Sequence, residues 1–237
     1  ALIASEGFTS STKPLEAVRG FVKVLSEENK LELLTQNWGK AWEVEKNSYK
    51  PFASGIVTHP AIDGIIQVQK QHQLRAEDVD VIEIIGHPLV KELTGKTEFT
   101  TGLEGKFSVF HCVASGFLNL KAAVDEFSDE FVNDPAVKEL RSKINLTIDE
   151  NMKEDQAQIT VKLKDGREIS QFVEHAIGSM DLPMTDEQLK EKFMDVTGTV
   201  ISEEAKKALI DLVYRFEELE DLDEFFELCR PAEAVIL

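Results

Sequence analysis

Apolar side chains recur at helical spacing near the start of the chain. In PLEAVRGFVKVLSEE, Leu15, Val18, Phe21, Val22 and Leu25 follow Pro14, a residue that a first helical turn tolerates. The pattern predicts helices through residues 1–45, and the opening ALIASEGF reads as the tail of a helix already under way. The period then changes. DVDVIEIIG (78–86) reads as a buried strand and INLTIDE (144–150) as a second. AQITVKLKDGREISQFVEHA (157–176) alternates around Asp165-Gly166, which predicts a hairpin, because a tight turn needs positive φ. Helices are expected between the strands at 60–72, 107–127 and 135–142. From 184 to 230 the pattern is helical again, with Thr185 and Ser202 as plain N-caps followed by acidic first-turn residues. In FEELEDLDEFFELCR (216–230), Phe216, Leu219, Leu222, Phe225, Phe226 and Cys229 share a helical stripe. That predicts an amphipathic helix with a solvated acidic face rather than a metal site.

The order helical, mixed, helical gives an α+β fold class, with a small α+β domain at 46–183. The helical segments 1–45 and 184–237 are expected to belong to a larger all-helical domain. Composition narrows the partners. The chain has 237 residues and carries 44 acidic against 26 basic side chains, a net charge of −18 with no basic cluster, so nucleic acid and anionic membrane surfaces are excluded. No apolar run approaches membrane-spanning length, and no signal peptide is visible. Cys112 and Cys229 are far apart and form no metal-ligand pattern, which argues for a reducing, cytoplasmic setting.

Two stretches carry candidate chemistry. In YKPFASGIVTHPAIDG (49–64), His59 precedes Pro60 at the start of a helix, and Lys50 lies across a turn of small residues, Ala53, Ser54 and Gly55. A helix start and a lysine together make a seat for a carboxylate. The plainer alternative is a solvated lysine and a histidine that only flanks the helix. In GLEGKFSVFHCVASGFL (102–118), Ser108 and His111 share a helix face among Phe107, Phe110, Val113 and Ala114. A histidine in apolar surroundings can serve as acid or base near neutrality. Its plainer alternative is a core histidine with one hydrogen bond. His72, His87 and His175 have no companions in sequence and receive no role. Cys112 adjoins His111, but neighbours on a helix point apart. No GxSxG, P-loop, dinucleotide fingerprint or HExxH is present.

These stretches resemble the MmgE/PrpD family. Lys50-Pro51-Phe52 with Thr58-His59-Pro60-Ala61-Ile62-Asp63 is similar to its KPYP…THPAIDA segment, and GKFSVFHCVA (105–114) to its KFSxxYxVA or KFSxxHxVA segment. GFTSSTKPLEAVRGFVKVL, the hairpin Asp-Gly and KEKF (190–193) follow the family order. The family includes 2-methylcitrate dehydratase, cis-aconitate decarboxylase and iminodisuccinate epimerase. The resemblance implies a large helical domain, a smaller α+β lid and an active site in the cleft between them. It further implies homodimers and proton chemistry beside carboxylates without an organic cofactor.

By position, the resemblance makes Lys50 a substrate contact and His111 a proton carrier, where many members have tyrosine. His59 and Ser108 fall on motif positions, Ser108 as a brace or cap. Ala53 and Ser54 depart from the family's Pro and Cys. The family's upstream helical residues, with an Asp, a His and a KPxHxG segment, would precede Ala1, so the chain is expected to be a C-terminal half.

The expected function is part of a dehydratase, decarboxylase or epimerase acting on a small di- or tricarboxylate. Lys50 would neutralise a carboxylate and His111 would move a proton. The rival is a non-catalytic remnant or assembly subunit that needs a separate N-terminal half. In either case Leu31, Leu33, Leu34, Trp38 and Trp42, or Leu209, Leu212, Val213 and Phe216, are expected to form exposed apolar surface.

Overall fold

A computed structural model describes residues 2–28, 30–198 and 200–231. The chain divides into two compact units, residues 1–47 and 48–237. In the first unit the regular elements are the short helices α1 (Leu2–Ser5) and α2 (Phe21–Leu25) and two 3-10 turns, Leu31–Leu34 and Glu43–Lys46. The continuous helix expected after Pro14 does not form. Residues 14–19 run as turns, and Gly20, at the N-cap of α2, interrupts the pattern where a helix interior disfavours glycine by about 1 kcal/mol. Val18 and Phe21 stay exposed, so the apolar stripe has no partner to hold it in one helix. Leu31, Leu33, Trp38 and Trp42 are exposed as expected, while the Leu34 side chain lies outside the described residues.

The second unit is α+β. Its elements are α3 (His59–His72), β1 (Val79–Gly86), α4 (Pro88–Thr94), α5 (Gly102–Gly105), α6 (Val109–Asn119), α7 (Asp129–Asn133) and α8 (Pro135–Ser142). There follow β2 (Ile144–Ile148), β3 (Ala157–Leu163), β4 (Glu168–Val173), α9 (Asp186–Thr197), α10 (Glu203–Val213) and α11 (Asp223–Leu228). The sheet order is β2-β1-β3-β4. β1 pairs parallel with β2 (Ile84 opposite Leu146) and antiparallel with β3 (Ile84 opposite Ile159). The β3–β4 hairpin turns at Asp165-Gly166, where Gly166 has φ 88°.

Every second residue of β3 is buried, and α3 lies against that face with α6 beside it. Ile62 and Ile65 of α3, Ile82 and Ile84 of β1, Val113 and Phe117 of α6, and Ile159 and Val161 of β3 form the centre of the core. Each such side chain contributes about 1.5–3 kcal/mol on full burial. Two glycines allow the layers to close. A Cβ on Gly64 would lie 2.8 Å from Ile159, and one on Gly116 would lie 2.8 Å from Ile65.

Several local expectations change. The single helix expected over 107–127 stops at Asn119, because Leu120 takes a left-handed conformation (φ 56°) and its N–H closes onto Gly116 O. Thr185 is more than a plain cap. Its hydroxyl accepts from Gln188 N while Gln188 Oε1 accepts from Thr185 N, a full capping box. Residues 216–230 form a 3-10 turn and the six-residue α11 rather than one amphipathic helix. Leu209 and Leu212 are buried in a helical layer where α10 meets α9 and α11, contrary to the expected exposure, whereas Val213 and Phe216 are exposed.

Candidate functional site

The turn at 50–55 is held by main-chain bonds from distant segments. Ala53 N donates to Ala122 O (2.8 Å) and Gly55 N to Lys106 O (3.3 Å), which fixes it against both ends of the α6 region. Below it, Ser54 and Thr58 share a buried hydroxyl pair at 2.8 Å, and the Thr58 hydroxyl also donates to Gly55 O. The exposed Lys50 folds back along the turn and donates from Nζ to Ser54 O at 3.2 Å.

His59 is the first residue of α3 and is 2 % exposed, its ring edge-on to Phe52 at 5.3 Å. Its Nε2 is buried without a hydrogen-bond partner among the described residues. Burial, then the Lys50 charge, lowers its pKa to about 4, with Lys192 adding to the effect and the Ser54 backbone opposing it. His59 is therefore neutral at physiological pH, with that ring nitrogen unpaired among the described residues.

His59 lines a cavity of about 160 Å³ together with Tyr49, Val57, Asp155, Ile177 and Gly178. The wall at 176–179 is tied to α3, since Asp63 Oδ2 accepts from Ile177 N at 3.0 Å. Gly178, at φ 83°, packs so closely that a Cβ there would overlap Tyr49 O. His175, given no role from sequence, has partners in space. Its Nδ1 lies 2.7 Å from Asp155 and 3.7 Å from Asp181. The polar atoms of these three residues lie within 4.8 Å of one another and are the one such group among the described residues that could hold a metal ion. As an ion pair the group is already complete, and the Asp155 hydrogen bond raises the His175 pKa.

Ser108 and His111 lie elsewhere. Ser108 is the N-cap of α6, its Oγ accepting from His111 N at 3.3 Å, so its motif position is that of a cap. The His111 side chain is fully buried and ringed edge-on by Phe99, Phe127 and Phe131 at 5.5–5.8 Å. Its Nε2 meets Glu126 O at 2.8 Å, while Nδ1 has no partner among the described residues. Burial lowers this histidine to about 4 as well. Adjacent Cys112 faces the Ser54–Thr58 side, and burial pushes its thiol up to about 12, which leaves it unreactive. His59 thus lines the cavity with the Lys50 charge acting on it from the adjoining turn, whereas His111 is directed into an aromatic core.

The chain matches the MmgE/PrpD C-terminal domain over residues 52–218. It belongs to the MmgE/PrpD family. The match begins inside the Lys50 turn and runs through the sheet to the 3-10 turn that follows α10. Two curated proteins named cis-aconitate decarboxylase, one from Aspergillus terreus strain NIH 2624 / FGSC A1156 and one from Aspergillus terreus, are each 22% identical over 250 residues. The alignment takes in 96% of this chain and 51% of theirs, so the chain spans about half the length of these relatives. Among the described residues of this MmgE/PrpD member, no helix is long and apolar enough to cross a membrane.

Besides His175 and Asp155, one further residue near the turn was missed from sequence. Lys192, on α9, donates from Nζ to Lys50 O at 2.5 Å across a sequence separation of 142. KEKF as a string carries no signal of that reach.

Proposed function

We propose that the second unit is the lid-type domain of a lyase or isomerase that moves a proton beside a carboxylate of a small di- or tricarboxylate, without an organic cofactor. The observation that carries this reading is the neutral His59, whose buried Nε2 has no hydrogen-bond partner among the described residues and whose side chain lines a cavity within the field of Lys50. Lys50 exchanges its Ser54 contact for a substrate carboxylate and neutralises it. His59 accepts or returns the proton on the neighbouring carbon. Negative charge developing on the carboxylate is then met by the Lys50 cation, a contribution of roughly 3 kcal/mol. The names of the relatives support a carboxylate substrate. His111, the expected proton carrier, is enclosed by aromatic rings and bonded to a main-chain carbonyl, and we assign it the bracing of α6 instead.

The test follows proton exchange into deuterated water by NMR, across a panel of di- and tricarboxylates. Lys50→Ala is expected to weaken binding. His59→Gln should slow exchange by about a hundredfold or more, the usual weight of a positioned acid–base group. His111→Gln is expected to lower thermal stability with a smaller effect on exchange. Exchange lost in His111→Gln but kept in His59→Gln, both folded, would return the proton step to His111.

A second reading rests on the exposed Val18, Phe21, Trp38 and Trp42 of the first unit. In it the chain works only after joining another polypeptide, a second copy or a helical N-terminal partner. Sedimentation at micromolar concentration checks for self-association, and a strictly monomeric chain excludes the homodimer.

A further inference from the structure

We propose that the turn between β2 and β3, residues 150–155, is a lid on the His59 cavity, and that His175 is its latch. The charged ring holds Asp155 and keeps the lid down, and the neutral ring lets it lift. The lid governs access to His59 whatever ligand the cavity takes, and so stands apart from the carboxylate reading. Residues 176–179 form one wall of the cavity, and Glu154 and Asp155 belong to another. The first wall is fixed. Ile177 N donates to the buried Asp63 at 3.0 Å, Gly178 N donates to Leu182 O at 2.8 Å, and Gly178 packs against Tyr49 and Pro51 with no room for a Cβ.

The second wall is fastened differently. Met152 N donates to Asp149 O, Asn151 N to Asp149 Oδ1 and Lys153 N to Gln156 Oε1, all within the turn and its flanks. Among the described residues, one hydrogen bond ties residues 150–155 to a distant part of the chain, that between Asp155 Oδ2 and His175 Nδ1 at 2.7 Å. His175 directly precedes the fixed wall, so this bond joins the two walls.

Charge decides how firmly the joint holds. Asp181 Oδ2 lies 3.7 Å from the same Nδ1, and the polar atoms of Asp155, His175 and Asp181 lie within 4.8 Å of one another. The charges that bear on His175 are Asp155 from the turn, and Asp181 and Glu174 from its own segment, all acidic. α3, which packs on β4, brings the neutral His59 and Asp63, whose carboxyl is engaged by Ile177 N and Gln67. A cationic ring therefore sits between carboxylates from both sides of the joint and draws them together. Once it loses its proton, Asp155 and Asp181 face each other with no cation between them, and like charges at that separation repel. The Asp155 hydrogen bond raises the His175 pKa from its ordinary 6.5, so the latch is engaged at pH 6 and releases as pH rises through the folded value.

The experiment measures how fast diethyl pyrocarbonate modifies His59 in the full chain, as initial rates read by peptide mass spectrometry at pH 6 and pH 9. His59 is neutral at both, since burial holds its pKa at about 4, so a changed rate reports access rather than its own ionisation. In the unmodified chain the rate is expected to rise about threefold between the two, the scale of one partly exposed ion pair. His175→Gln, which keeps a hydrogen-bond donor without the charge, should give the high rate already at pH 6. His175→Arg, a permanent cation, should hold the rate low at pH 9. The fully buried His111 is the control for loosening of the core. A His59 rate that is the same at both pH values, or that still rises in His175→Gln, overturns the latch, and so does a rise that His111 shares.

Discussion

Histidines set the response of this protein to acid. His59 and His111 are both held near 4 by burial, whereas a histidine in the unfolded chain titrates near 6.5. Below pH 6.5 the unfolded state takes up protons that the folded state refuses, so stability falls as pH drops, down to about 4, where the folded rings also charge. The loss is roughly 3 kcal/mol for each ring at its acid limit. His175 runs the other way. Its raised pKa means that its ion pair with Asp155 contributes below pH 6.5 and is lost as pH rises through the folded value. Urea melts between pH 7 and 4 are expected to show falling midpoints, shallower in His111→Gln than in the unmodified chain. A flat profile would mean that the buried rings are protonated in the fold.

Elements carry the part of the structure that could be read in advance. The strand expected at 78–86 forms at Val79–Gly86, the helix expected at 135–142 forms there, and Asp165-Gly166 makes its turn, because period, proline and turn residues act over short range. The left-handed Leu120 was not legible, since nothing in its side chain favours that conformation and only the surrounding packing selects it. The same holds for α4 and α5, short helices whose starts depend on His87 and on the Thr101–Glu104 capping box. At the site, the YKPF…THP segment identified Lys50 and His59 as neighbours. His175 with Asp155, and Lys192 with Lys50, are separated by 20 and 142 positions and meet only once the sheet and α9 are in place. The cap of α6 offers a direct test of an element. Ser108→Ala, which removes the acceptor for His111 N, is expected to cost about 1 kcal/mol in chemical denaturation, and no loss would mean that α6 is held by packing alone.

The whole second unit is organised by an unequal pair of connections. β3 and β4 join through a tight turn, whereas the parallel partner of β1 arrives only after α4 to α8 have been threaded between them. That geometry has a consequence in time. Closing a long loop costs chain entropy before any contact repays it, so the hairpin can form early while the β1–β2 ladder waits for the crossover helices to dock. Pulse-labelled hydrogen exchange during refolding should protect Val161 and Ile169 before Ile82, whose N–H donates to Lys143 O at the start of β2. The Lys50 turn is anchored at Lys106 and Ala122, inside that same crossover, so the seat would be among the last features to mature. A nascent chain would then carry a formed hairpin well before it could hold an anion.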